Sequence, residues 1–138
     1  MKQIASEFAR FSAVGAAGLL VDMAALCVAM ELIGLSYVAG RGVSYLAAAT
    51  FTWACNRAIT FASKGSGGQA GQWARFLAVN SAGGAVNFAV YLSVVAAFGS
   101  SGALPSRVDA LLPYLGVALG SLSGLLFNFT LSRLLVFR

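Results

Sequence analysis

The fold is decided by a segment that occurs twice in the chain, as ARFSAVGAAGLLVD at residues 9–22 and as ARFLAVNSAGGAVN at residues 74–87. Eight of the fourteen aligned positions are identical. Each copy has an arginine near its start, Arg10 or Arg75, and ends on Asp22 or on the near-isosteric Asn87. We call the separation from Arg10 to Arg75 the first-helix offset. Self-similarity at a fixed spacing is the signature of a duplicated structural unit, so the sequence predicts two tandem copies.

The composition places most of the surface in lipid. Of 138 residues, 59% are hydrophobic and only 9% are charged, whereas a soluble domain carries about a quarter charged residues. A soluble fold of this size would have too much surface to cover with so few charges. We expect one compact membrane domain over residues 1–138, with no room for a separate soluble domain.

Charged and turn-forming residues divide the chain into four apolar spans. They run over about residues 8–33, 36–61, 72–98 and 114–136. Each span has the ~20 residues that cross ~30 Å of hydrocarbon as a helix, and helices satisfy their own backbone groups within lipid. The segments 62–71 and 99–113 are predicted as loops. The fold class is therefore an all-α membrane protein with four transmembrane helices.

The second helix of each copy also repeats, at a slightly larger spacing. Over residues 51–61, three residues of the first copy have identical partners in the second. They are Phe51, Arg57 and Phe61, which fall on Phe127, Arg133 and Phe137. We call the separation from Arg57 to Arg133 the second-helix offset. The predicted repeats run over about residues 8–61 and 73–137, and because each holds two helices, both enter the bilayer from the same side and are parallel.

Small residues in the fourth span predict close helix packing. Gly116, Gly120 and Gly124 recur at every fourth position. This spacing lets two helix backbones approach each other closely in lipid. We therefore expect these glycines to contact a neighbouring helix; the alternative is a smooth groove for a lipid tail.

The basic residues predict the orientation, since they favour the cytoplasmic side of a membrane. Seven of the nine fall on one side of the predicted layout. These are Lys2, Arg10, Arg57, Lys64, Arg75, Arg133 and Arg138. Arg41 and Arg107 fall on the other side. Both termini and the middle loop are therefore predicted to be cytoplasmic.

Four arginines, one per helix, are predicted near the cytoplasmic headgroups. They are Arg10, Arg57, Arg75 and Arg133. Guanidinium groups bind phosphate through two N–H donors, so these arginines are candidates for binding a lipid phosphate, with Asn56 and Asn128 beside them. The alternative is that they only mark the membrane boundary. Arg41 is a candidate for the same phosphate on the outer side.

Asp22 is predicted to lie near the middle of the bilayer. It follows Arg10 by twelve residues, or ~18 Å of helix, and a carboxylate at that depth is costly and usually functional. The alternative is a protonated Asp22 hydrogen-bonded between helices, with Asn87 as the candidate partner. If the charge matters, Asp22→Asn should impair transport while preserving the fold.

Several functions are excluded by residue type. The chain has no histidine, so histidine-based catalysis and zinc ligation are not available. It shows no nucleophile–base pair, metal cluster or phosphate-binding glycine loop, so we expect no cofactor and no enzymatic activity. The basic residues occur singly between apolar stretches and not as a patch, which argues against nucleic-acid binding.

The chain resembles the GtrA-like family of membrane proteins over nearly its whole length. The resemblance rests on the openings RFSAVG (10–15) and RFLAVN (75–80) and on the endings CNRAITF (55–61) and FNFTLSRLLVF (127–137). It implies movement of a polyprenyl-phosphate-linked sugar, typically undecaprenyl-phosphate glucose, across the bacterial inner membrane for cell-surface polysaccharide assembly. The bilayer and this lipid are then the partners.

Two other functions stay open at this point. Some proteins that this chain resembles support or anchor a membrane glycosyltransferase, which would make that enzyme the partner. A small proton-coupled exporter would use Asp22 as its proton carrier, although the repeated arginines do not suit that role. A chain this short offers a narrow path for a lipid-linked sugar, so a homodimer or a larger assembly is expected for the translocase.

Overall fold

The structure, a computed structural model, describes residues 2–62, 68–99 and 112–137. These residues form four long helices and contain no strand. Three helices end in a π-helical turn, in which an N–H bonds the carbonyl five residues earlier. The bounds are α1 Lys2–Cys27 with the π turn Val28–Leu32, α2 Tyr37–Cys55 with the π turn Asn56–Thr60, α3 Gln69–Gly99, and α4 Leu112–Leu131 with the π turn Ser132–Val136.

Two helices begin earlier than predicted. α1 starts at Lys2 and not near residue 8, and α3 starts at Gln69, inside the segment predicted as a loop. The predicted loop over residues 99–113 lies almost wholly outside the described residues. So do the basic residues Lys64, Arg107 and Arg138.

The turn between α1 and α2 has clear local causes. Gly34 adopts a positive φ of 75°, which glycine reaches without steric cost. Ser36 then caps α2, because its side-chain oxygen accepts a hydrogen bond from the Ala39 N–H at 3.4 Å. Such a cap satisfies one of the unpaired donors at the start of a helix.

Three of the described helical segments are long and apolar enough to cross a membrane. They are Lys2–Leu32, Gln69–Val94 and Leu115–Val136. α2 has sufficient length but is less apolar, because it contains Arg41 together with several Ser, Thr and Gly residues. A hydropathy sum counts Arg41 as an isolated charge, although Arg41 forms an ion pair with Asp22 in the structure.

The distribution of polar and apolar residues suits a lipid environment. Large apolar side chains are exposed along α1, α3 and α4, among them Leu20, Phe88 and Leu122. Polar side chains are instead found in the interior. The buried ones are Glu7, Ser44, Asn56, Thr60, Gln72 and Ser132. Polar groups stay inside because an unsatisfied hydrogen-bonding group is costly in hydrocarbon.

The chain divides into two compact units. The first consists of Met1–Leu77 and Arg133–Arg138, and the second of Ala78–Ser132. The first unit therefore contains α1, α2, the start of α3 and the last turn after α4. The second contains the remainder of α3 and α4 within the described residues.

Four phenylalanines from the four helical segments form the core of the first unit, here called the phenylalanine cluster. Phe11 meets Phe61 edge to face with ring centres 6.3 Å apart, and Phe76 meets Phe137 in the same way at 5.9 Å. Phe61 and Phe137 stack on each other at 4.7 Å. The first-helix offset carries Phe11 to Phe76, and the second-helix offset carries Phe61 to Phe137. The four rings of the cluster are thus related in pairs by the two offsets.

Small residues allow close helix contact in the second unit. A Cβ added to Gly120 would lie 2.5 Å from the carbonyl oxygen of Asn87, and one added to Gly124 would lie 2.9 Å from that of Gly83. Close approach of this kind drives helix association in membranes. The glycines predicted to pack helices therefore do so between α3 and α4.

The same kind of contact recurs at matched positions of the two predicted copies. A Cβ on Gly18 would overlap the Thr52 side chain, and a Cβ on Gly83 would overlap the Asn128 side chain. Gly18 and Gly83 are related by the first-helix offset, while Thr52 and Asn128 are related by the second-helix offset. The first contact lies within the first unit and the second within the other.

Candidate functional site

The guanidinium of Arg57 is held by a buried amide. Its Nη1 donates to Oε1 of Gln72 at 2.7 Å, and Trp53 Nε1 donates to the same oxygen at 3.2 Å. Gln72 is only 1% exposed. The guanidinium carbon also lies 5.8 Å from the centre of the Trp53 ring, within range of a cation–π interaction. Arg57 is therefore fixed by contacts with α2 and α3.

Arg133 makes the matched contact with a carboxylate. Its Nε donates to Oε2 of Glu7 at 2.6 Å, in an ion pair where the Glu7 side chain is 7% exposed. Glu7 and Gln72 are separated by the first-helix offset, and Arg57 and Arg133 define the second-helix offset. Each arginine thus reaches the other predicted copy. We call Arg57–Gln72 and Arg133–Glu7 the crossed pairs.

The other two predicted phosphate-binding arginines are more accessible. Arg10 and Arg75 are both exposed. Arg10 Nη1 lies 3.4 Å from the carbonyl oxygen of Ile59, at the limit of a hydrogen bond. Because the crossed pairs already engage Arg57 and Arg133, Arg10 and Arg75 are the better candidates for binding an anion.

The two predicted asparagines lie inside helix contacts. Asn56 is 1% exposed, and its Oδ1 accepts a hydrogen bond from Thr60 Oγ1 at 2.8 Å. Asn128 belongs to the second unit, where its side chain lies against Gly83. Within the described residues, Asn128 Oδ1 and Ser132 Oγ have no hydrogen-bond partner. Both amides thus contact helix neighbours, but Asn56 is buried whereas Asn128 is half-buried.

An apolar groove leads away from Arg10 along the surface between α1 and α2. Its volume is about 340 Å³. Six apolar residues line it together with Arg10. They are Ala13, Val14 and Ala17 from α1 and Phe51, Cys55 and Ile59 from α2 and its π turn. The groove therefore combines one cationic end with walls that suit a hydrocarbon chain.

Asp22 is paired within its own copy. Arg41 Nη1 donates to both carboxylate oxygens of Asp22, at 2.8 and 3.0 Å, and lies 3.3 Å from Ser44 Oγ. Asp22 is thus not the isolated carboxylate assumed from its position in the sequence. The side chains of Arg41 and Asp22 are 41% and 19% exposed, so this ion pair is partly accessible at the protein surface.

Asn87, matched to Asp22 in the second copy, has different surroundings. Residue 117, matched to Arg41, is a valine, and residue 120, matched to Ser44, is a glycine. Asn87 packs against Gly120. The two copies thus differ in chemistry at the same place: an ion pair in the first and a neutral, closely packed contact in the second.

Sequence reasoning missed Glu7 and Gln72. They lie just before the repeated fourteen-residue segment and are related by the same first-helix offset. Extending the repeat backwards by two positions would have aligned them, since Glu and Gln have nearly the same shape. The pairing with arginines of the other copy had no signal in the sequence.

The fold and these polar contacts define an all-α, multi-pass membrane protein. The profile of the GtrA/DPMS transmembrane domain family matches residues 10–138. The chain therefore belongs to the GtrA/DPMS transmembrane domain family, which confirms the predicted resemblance and the all-α membrane fold. Comparisons with curated proteins and with solved structures gave no match.

Proposed function

We propose that this protein moves a polyprenyl-phosphate-linked sugar, such as undecaprenyl-phosphate glucose, across the bacterial inner membrane for cell-surface polysaccharide synthesis. Membership of the GtrA/DPMS family supports a role related to such lipids. Both termini would lie in the cytoplasm, and the chain would act as one domain of two repeats, over about residues 8–61 and 73–137. The role is transport, without catalysis.

The observation that carries the proposal is the position of Arg10 at one end of the α1–α2 groove. A lipid-linked sugar has a phosphodiester between a long hydrocarbon chain and a polar head. Arg10 would bind the phosphate by a charge-assisted hydrogen bond, while the first isoprene units lie against the apolar walls. In this bound state, before the lipid crosses the membrane, the sugar would lie in the aqueous headgroup layer.

Reconstitution tests this function directly. Purified protein in liposomes should accelerate the transbilayer movement of a fluorescent undecaprenyl-phosphate glucose. Arg10→Gln should slow that movement by about tenfold, the scale expected for losing one hydrogen bond to a charged group. Arg133→Gln serves as a comparison. The guanidinium of Arg133 is already paired with Glu7, so its removal should mainly lower thermal stability.

Two results would contradict the proposal. One is a wild-type protein that gives no acceleration, and the other is an Arg10→Gln variant that transports as fast as wild type. If transport is absent and the protein co-purifies with a polyprenyl-phosphate glycosyltransferase, the alternative function as a membrane anchor for that enzyme is favoured. The oligomeric state of the purified protein would then show whether a homodimer is present.

A further inference from the structure

Arg41 is a cation of the kind that binds anionic ligands, and in this structure its guanidinium is paired with the Asp22 carboxylate of the same chain. Both Asp22 oxygens approach a single nitrogen of Arg41, Nη1. A guanidinium binds an oxyanion best through two nitrogens in a fork, and this is not the contact that Asp22 makes. The 41% exposure of the Arg41 side chain gives a ligand access to the ion pair.

Arg41 lies on the side of α2 that faces the groove at Arg10. Arg41 precedes Cys55, a groove residue, by fourteen residues. At about 100° and ~1.5 Å per residue, this places Arg41 within ~40° of Cys55 around α2 and ~21 Å along it. Asp22 lies ~18 Å beyond Arg10 along α1. Along the helices, the two arginines are therefore separated by about two-thirds of a bilayer core.

We propose that Arg41 is a second binding site for the lipid phosphodiester and that Asp22 is a built-in competitor which displaces it. The phosphodiester would take the place of the Asp22 carboxylate on Arg41, and the returning carboxylate would release it. This inference rests on the proposed function. It concerns the first copy alone, because the second has Asn87 and Val117 at these positions.

Asp22 would shorten the time for which the ligand stays bound to Arg41, because the ligand and Asp22 carry the same negative charge. A polyprenyl-phosphate sugar is a phosphodiester with one negative charge, the same charge as the Asp22 carboxylate. Two anions beside one guanidinium repel each other strongly in a low-dielectric environment. Asn in place of Asp22 would keep the shape and a hydrogen-bonding oxygen but remove the repulsion. The variant should hold the ligand longer and release it more slowly.

The test measures equilibrium binding of tritiated geranylgeranyl methyl phosphate, a singly charged phosphodiester, to the full chain in nanodiscs. All variants carry Arg10→Gln, which removes the groove-end site. Adding Asp22→Asn should tighten binding by about tenfold, the scale of one hydrogen bond to a charged group. Adding Arg41→Lys should weaken binding, because an ammonium cannot form the two-nitrogen fork.

Glu31→Gln is the matched control, since Glu31 is another acidic residue of the first helical segment and is exposed. Its removal changes the net charge equally and should leave binding unchanged. The inference is overturned if Asp22→Asn binds no more tightly than the Arg10→Gln parent, if Glu31→Gln has the same effect, or if Arg41→Lys binds as well as the parent.

Failure of this inference can be told apart from failure of the proposed function. Transport by wild type with no effect of Asp22→Asn on binding would reject the competitor role and leave the function intact. Tighter binding by Asp22→Asn without any transport by wild type would reject translocation and retain the phosphodiester site. Asp22→Asn should also slow lipid movement in liposomes, since release becomes limiting.

Discussion

At the scale of single residues, the crossed pairs show how arginines are accommodated beside a buried core. Arg57 and Arg133 each find a partner on a different helix, a neutral amide at Gln72 and a carboxylate at Glu7. A buried carboxylate without its cation would be strongly destabilising. The Arg133–Glu7 contact thus contributes to stability, and without Arg133 the Glu7 carboxylate would be buried with its charge uncompensated.

Glu7 provides the first stability prediction. Glu7→Gln should lower the free energy of unfolding by only about 1 kcal/mol, because a neutral hydrogen bond to an arginine remains. The Arg57–Gln72 pair already has such a hydrogen bond between an arginine and a neutral amide. Glu7→Ala should cost more, about 2 kcal/mol, because Arg133 loses a hydrogen bond to a charged group. Thermal unfolding in detergent, followed by circular dichroism, would measure both; equal losses for the two variants would contradict the prediction.

At the scale of helices, the spacing of small residues determines where α3 and α4 touch. Gly120 and Gly124 face backbone atoms of α3 at distances that leave no room for a methyl group. Backbone atoms cannot move aside as a flexible side chain can. Any side chain at these positions must therefore push the helices apart, at the expense of van der Waals contact.

Gly120→Ala should accordingly destabilise the second unit by about 2 kcal/mol, within the range for overpacked interiors. Gly84→Ala is the matched control. A Cβ added at Gly84 would have no atom of the described residues within 4 Å, and alanine favours the helix. Thermal unfolding of the two variants beside wild type gives the comparison. Equal stability of Gly120→Ala and Gly84→Ala would mean that α3 and α4 do not pack in this way.

The π-helical turns are another feature of the helices, and they occur at matched places. The turns Asn56–Thr60 and Ser132–Val136 are related by the second-helix offset. In the first, Phe61 N–H bonds the Asn56 carbonyl at 2.8 Å, five residues back. The extra residue in each turn shifts the direction of the following side chains, which include Phe61 and Phe137. The phenylalanine cluster is thus positioned by two equivalent backbone irregularities.

At the scale of the whole molecule, the two predicted repeats depend on each other. The phenylalanine cluster and both crossed pairs combine side chains from residues 8–61 and 73–137, or their immediate flanks. A single repeat would expose these phenylalanines and leave its arginine unpaired. We therefore expect neither repeat to be stable alone.

Co-expression of fragments tests that dependence. Residues 1–65 and 66–138, each with a different affinity tag, should co-purify from detergent-solubilised membranes. Arg57→Ala combined with Glu7→Ala, which removes one side of each crossed pair, should reduce the recovered complex several-fold. A single fragment that accumulates and unfolds cooperatively without the other would contradict the expectation.

The fold class was predictable because lipid restricts the choices. A chain with 9% charged residues and long apolar spans has few solutions besides membrane helices. The predicted start of α3 was wrong by one helical turn, since Gln69 and Gly71 look like loop residues until Gln72 is seen to be buried. The predicted phosphate-binding role of the four cytoplasmic-side arginines stays a prediction, although the crossed pairs now favour the two exposed ones, Arg10 and Arg75.

The sequence by itself determined the apolar segments, the repeated fourteen-residue segment and the polar residues that interrupt each helix, because these depend on local composition and spacing. Only the tertiary structure decided which polar residues meet. Arg133 and Glu7 come from opposite ends of the chain, and Asp22, for which the sequence offered Asn87 as a candidate partner, pairs with Arg41. In a duplicated chain, contacts within a copy and between copies look alike in sequence, and packing in three dimensions distinguishes them.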